Sequence, residues 1–178
     1  MLRVNMILIL FLTMTLSPLQ ADEEISPALL DQTVLDAQQA IEAQDYETAF
    51  KMYQKAAQWG HKGSQYVLGE LYLRGKGVAK DPVLGAAWLE VAAEAPDRNF
   101  RKARTSALKQ LSDPQKTKAE QLAQKLAAAY GMEAAGVDCR KEAMLGTNIK
   151  TVNCTHQRIT AEGNLVVPDY EAGLYPAS

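Results

Sequence analysis

The chain has 178 residues and a mass of 19.5 kDa, room for one ordinary domain or a small domain with a tail, but not two large ones. At 47% hydrophobic and 22% charged residues its composition is globular, which excludes wholesale disorder. A formal charge of −2 and a pI near 5.7 give no basic excess for nucleic acid, and two cysteines exclude a disulfide-dense miniprotein. Aromatics are only 7% while alanine is abundant, which points to closely packed helices rather than a β-sandwich.

The N-terminus reads as a leader. Arg3 precedes an apolar run from Met6 to Leu16, then Ser17-Pro18-Leu19-Gln20-Ala21 and the acidic Asp22-Glu23-Glu24. This three-part pattern predicts a secretory signal peptide over residues 1–21, cut after Ala21. The run is shorter than the roughly 20 residues that cross a bilayer. An uncleaved anchor is the alternative. With cleavage, no membrane span remains, and the mature chain is expected in the periplasm or outside the cell.

Residues 22–131 carry helical periodicity. Ala28 to Ala43 places Leu30, Val34, Ala37 and Ile41 three and four residues apart. The segments Asp45 to Ala57 and Asp81 to Ala93 then repeat at an offset of thirty-six. Asp meets Asp, Ala49 meets Gly85, Met52 meets Trp88, and Ala-Ala meets Ala-Ala. Each Asp suits a helix N-cap, and Pro82 suits a first helical position. The small, bulky and Ala-Ala positions share one stripe, where small residues admit a neighbouring helix.

Between these helices the chain reads Ser64-Gln65, Leu68-Gly69, Tyr72, Gly75-Lys76-Gly77-Val78 and Asp81, followed by Trp88 and Ala92-Ala93. This order resembles the Sel1-like repeat, a helical-hairpin relative of the tetratricopeptide repeat. Ser64 and Gly85 depart from the Ala usual in that family, but both are small. The resemblance implies an all-α, α/α superhelical stack that acts as a non-catalytic scaffold for a peptide or protein, with no cofactor. The first pair lacks Leu-Gly and Gly-x-Gly and looks closer to a tetratricopeptide hairpin.

Two further helices are predicted, Phe100 to Leu111 and, after the Ser112-Asp113-Pro114 cap, one running to Tyr130 and ending at Gly131. The total is about six helices in three hairpins with a concave face. Charge is segregated: Asp22 to Phe50 holds eight acids and no base, while Arg98 to Lys125 holds eight bases against Asp113 and Glu120. These are either solvated faces or lips that orient a partner. The basic stretch lacks interleaved aromatics, so nucleic acid is not implied.

Residues 132–178 form a different unit. Glycines and prolines punctuate β-branched residues, and Cys139 and Cys154 flank Leu145-Gly146-Thr147-Asn148. Two short strands about that turn would set the cysteines opposite one another, and an exported chain with an even count favours a bridge. The stretch resembles, more weakly, a short cysteine hairpin of small secreted bacterial proteins. The last ten or so residues are expected to lack fixed structure.

No enzyme motif is present. Gly75-Lys76-Gly77-Val78 lacks the phosphate-loop frame, and there is no Gly-x-Ser-x-Gly, His-Glu-x-x-His or dinucleotide fingerprint. Cys139, Cys154 and His156 fall short of a four-ligand zinc site, so no metal is expected. Tyr66, Tyr72 and Trp88 are read as packing in the helical seam. A cell-wall enzyme of penicillin-binding or β-lactamase-like type is the alternative, since some exported cysteine-rich Sel1-like proteins are of that kind. Those carry a cysteine pair in each repeat, and this repeat region has none. Gln65, Glu70 and Arg74 are the candidate ligand contacts, lying between consensus positions committed to packing. Glu70 and Arg74, four residues apart, also suit a simple ion pair.

Overall fold

The computed structural model describes residues 22–143 and 150–168. The proposed leader, the turn between the cysteines and the last ten residues lie outside the described residues. Six helices carry the fold: α1 (Pro27–Glu42), α2 (Tyr46–Gln58), α3 (Lys62–Arg74), α4 (Pro82–Ala92), α5 (Arg98–Lys109) and α6 (Asp113–Tyr130). A short α7 (Met132–Ala135) follows. Strand β1 (Asp22–Ile25) precedes the helices, and β2 (Val137–Ala143), β3 (Lys150–His156) and β4 (Leu165–Pro168) follow them.

Helix starts follow from side chains that accept orphan backbone N–H groups. Asp45 Oδ1 accepts from Thr48 N at 3.1 Å, and Asp81 Oδ1 from Val83 N and Leu84 N at 3.0 and 2.9 Å. Asp97 caps α5 in the same manner, through Asn99 N and Phe100 N. His61 caps α3, its Nδ1 accepting from Ser64 N at 3.1 Å. Pro27, Pro82 and Pro114 occupy first turns, where no N–H is missed.

Helices α1 and α2, and then α3 and α4, form successive close pairs; α5 and α6 each lie against α4. The third pair is therefore more open than the first two. Trp88 is 0% exposed and stacks on Tyr130, ring centroids 6.0 Å apart, in a core with Leu68, Tyr72, Val91 and Leu126. Sealing so large a side chain among α3, α4 and α6 welds the stack, which is why the repeat needs a bulky residue there. The α3–α4 loop docks on the preceding hairpin. Gly77, at φ 71°, lies so close to α2 that an added Cβ would come 1.9 Å from Tyr46 O, so only glycine fits.

The two cysteines oppose one another in the antiparallel β2–β3 ladder and form a disulfide. Val137 and Cys139 pack on Ala95 and Ala135, fixing the hairpin to the end of the stack. Strand β1 pairs antiparallel with β4, joining residues 22–25 to 165–168, a contact with no local sequence signal. Ile25, Leu165 and Val167 cover Leu30, Ala56 and Trp59 on the first hairpin. The Trp59 indole N–H donates to Glu23 Oε2 at 3.3 Å, tying β1 to the end of α2.

Candidate binding groove and the buried polar node

A groove of about 860 Å³ runs between α3 and α5. Tyr66, half-buried, stacks on Phe100 with centroids 5.1 Å apart, and Leu73 and Ala103 continue this apolar floor. Tyr66 packs against the Ala86, Leu89 and Ala107 cluster, as expected, and also lines the groove; Tyr72 and Trp88 are buried in the seam. Burial and the nearby Glu70 carboxylate hold the Tyr66 phenol above its ordinary range, so it stays a neutral donor.

Glu70 and Arg74 both line this groove and pair across one helical turn. Arg74 Nη2 and Nε donate to Glu70 Oε2 at 2.6 and 3.1 Å. Lys80, in the α3–α4 loop, and Lys102, on α5, are both exposed and form no ion pair among the described residues. The second groove acid, Asp97, is engaged at the N-terminus of α5, where its charge complements the helix dipole.

Gln65 does not join this face. It is 0% exposed and lies in a buried polar node, which corrects its placement as an outward ligand contact. Its amide donates to Ala57 O at 2.9 Å and Tyr130 O at 2.8 Å, satisfying carbonyls at the ends of α2 and α6. Its Oε1 accepts from Lys62 Nζ at 3.0 Å. Lys62, buried as well, also donates to Val91 O and to Glu94 Oε2, at 3.1 and 2.6 Å. Desolvation outweighs Glu94 and holds the Lys62 ammonium below its ordinary range. Glu94 further accepts from Met132 N at 2.8 Å, so one cluster spans α2, α3, α4, α6 and α7. The side-chain donors of Lys62 and Gln65 are all used within the protein, and the node is therefore architecture.

The two histidines sit elsewhere, around a cavity of about 260 Å³ where α1, α3, β3 and β4 meet. With Cys154 in a disulfide, no thiol is available there for ligation or catalysis. Among the described residues, no group of three His, Cys, Asp or Glu side chains is placed to hold a metal ion.

Paired antiparallel helices joined by a Gly-x-Gly loop, with a Trp sealed between successive pairs, define an α/α repeat protein. The family described as Sel1 repeat matches residues 37–61 and 63–97, covering the end of α1 and α2 through α4. Over these residues the chain carries Sel1-like repeats. Its fold is similar to the crystal structure of a protective antigen from uropathogenic Escherichia coli that displays an SLR fold, with a TM-score of 0.56 and 25% identity. That match covers 67% of this chain and 27% of the antigen's, so this chain spans about a quarter of its length. No curated protein sequence matches this chain.

Proposed function

We propose that this chain is an exported, non-catalytic scaffold that holds a peptide or protein segment in the groove between α3 and α5. The groove lies between the first helices of successive pairs, the side that becomes concave in a repeat array. The observation that carries the reading is the stacked Tyr66–Phe100 floor within a cleft of about 860 Å³. An extended segment can bury an apolar side chain there while its backbone meets polar groups on both rims. The disulfide suits an oxidising compartment, supporting placement in the periplasm or outside the cell. Among the described residues no helix is long and apolar enough to cross a membrane. Cleavage after Ala21 would leave β1 complete for its pairing with β4.

The test is site-specific photo-crosslinking in the envelope, with the reactive group at Ser106 in the groove or at Thr105, exposed on the same helix outside it. A partner captured from Ser106 and not from Thr105 supports the assignment. The double reversal Glu70→Arg/Arg74→Glu keeps the ion pair but inverts the surface, and should weaken that capture. Equal capture from both positions, undiminished by the reversal, removes the groove from consideration. Covalent labelling of the purified mature chain by a fluorescent penicillin would replace the scaffold reading with the cell-wall enzyme. Mass analysis of the mature N-terminus checks export and the cut site.

A further inference from the structure

We infer that the occupant of the groove is an acidic segment, one in which carboxylates flank a single aromatic or large aliphatic residue. This rests on the groove reading above and adds the chemistry of the partner. The lining charges are Arg74, Lys80 and Lys102 against Glu70 and Asp97. Both acids are already engaged, Glu70 by Arg74 and Asp97 by the first N–H groups of α5. Lys80 and Lys102 have no such partner among the described residues, and they line the cleft from the α3–α4 loop and from α5.

The surroundings reinforce the same sign. Arg98, Arg101 and Lys109 are exposed along α5, also without ion pairs among the described residues. Among the described residues, Arg104 is the one base of this helix with an ion-pair partner, Glu90 at 3.1 Å. An approaching segment therefore meets a positive rim around an apolar floor. A basic segment would face uncompensated ammonium groups, whereas an acidic one supplies the missing carboxylates. The flanking charges accelerate encounter and impose salt dependence, while the central apolar residue supplies buried area on Tyr66 and Phe100.

The experiment uses fluorescein-labelled decapeptides with one central Phe flanked by Asp and Glu, by Lys, or by Ser and Gln. Each is titrated by fluorescence anisotropy with the full mature chain at several salt concentrations. The acidic peptide should bind best and weaken as salt rises. The exposed-site double variant Lys80→Glu/Lys102→Glu should bind it about tenfold less tightly, about 1.4 kcal/mol, and should prefer the lysine peptide. The variant Ala103→Trp, which fills the floor, should block binding, and circular dichroism checks that each variant is folded.

Preference for the neutral or lysine peptide, or no effect of the double variant, overturns the acidic inference. If Ala103→Trp still blocks those peptides, the groove reading survives that failure. Peptide binding that no groove variant alters, or no binding of any peptide, overturns both. Concentration-dependent self-association abolished by Lys80→Glu/Lys102→Glu would replace the free peptide with the acidic N-terminal region of a second copy, and so also overturns the proposal as stated.

Discussion

Gly69 on α3 and Gly85 on α4 meet face to face, each approaching the other's backbone. A Cβ built on Gly69 would stand 2.9 Å from Gly85 O, and one built on Gly85 would stand 2.8 Å from Gly69 O. Leu89 and Leu73 close the flanks of this contact. The helix pair thus achieves its separation by omitting both side chains, and Trp88 gains its sealed place beside them.

The first prediction follows directly. In a free helix, Gly→Ala adds about 1 kcal/mol of propensity. Here the methyl group would press on backbone, and overpacking costs roughly 1–3 kcal/mol. Gly69→Ala and Gly85→Ala should therefore each lower the urea midpoint, and the Val variants should lower it further. An alanine variant more stable than wild type would show that the two helices can separate at little cost.

The second prediction concerns Lys62. Its removal strands Gln65 Oε1, takes one donor from Val91 O, which keeps the Glu94 backbone N–H, and leaves Glu94 without its cation. Breaking a buried ion pair from one side costs roughly 3–5 kcal/mol. Glu94 keeps 31% side-chain exposure, which places Lys62→Met near the lower end. Glu94→Gln should cost less, since an amide still accepts from Lys62 or Met132 N. Equilibrium denaturation of the two variants checks the order; a neutral Lys62→Met would show that the node does not hold the stack.

The helical part of this architecture was legible because its signals are local. Asp45, Asp81 and Ser112-Asp113-Pro114 mark starts, Gly75 and Gly77 mark a loop, and Trp88 marks the seam. The node was not legible. Gln65 belongs to the repeat pattern, but it is polar, and polarity alone sends such a residue outward. It is buried because Tyr130 O, sixty-five residues away, needs a donor. Lys62 was hidden for the same reason, its partner Glu94 being thirty-two residues distant. The β1–β4 pairing was equally non-local: two four-residue strands carry no turn signal linking them. Of the candidate site, Glu70 and Arg74 were found from spacing. Tyr66 and Phe100 needed the fold to bring α3 and α5 together.

The third prediction concerns the disulfide. Bridging residues fifteen apart should contribute about 3 kcal/mol in the chain-entropy model. The bridge joins only β2 and β3, while the core about Trp88 contains neither cysteine. Cys139→Ser/Cys154→Ser should therefore raise amide exchange across the hairpin and leave the helical circular dichroism signal intact. Loss of that signal on joint replacement would make the hairpin a foundation of the stack rather than an attachment. Mass analysis of wild type under non-reducing conditions should show two hydrogens fewer than the free-thiol mass.

The last prediction is a pH dependence centred on His61 and His156, which line one cavity with Asp31 and Lys62. Burial is the main cause that holds both imidazoles below their ordinary 6.5; His61 is also depressed by His156, and His156 by Arg158. Asp31 acts in the opposite direction on His61, as does the Ala135 backbone on His156, but neither outweighs burial. His61 has a further reason to stay neutral: its Nδ1 accepts from Ser64 N, and a proton there would remove the α3 cap. The unfolded chain therefore binds more protons than the folded one in this range. Stability from these groups is complete above 6.5 and is lost as pH falls through the lowered folded values. Urea midpoints should decline as pH falls from 6.5 toward the lowered folded values. His61→Asn keeps a capping side chain that does not titrate, and combined with His156→Gln it should flatten that decline. A double variant with the same slope as wild type would assign the acid sensitivity to carboxylates and remove the histidine cavity as its source.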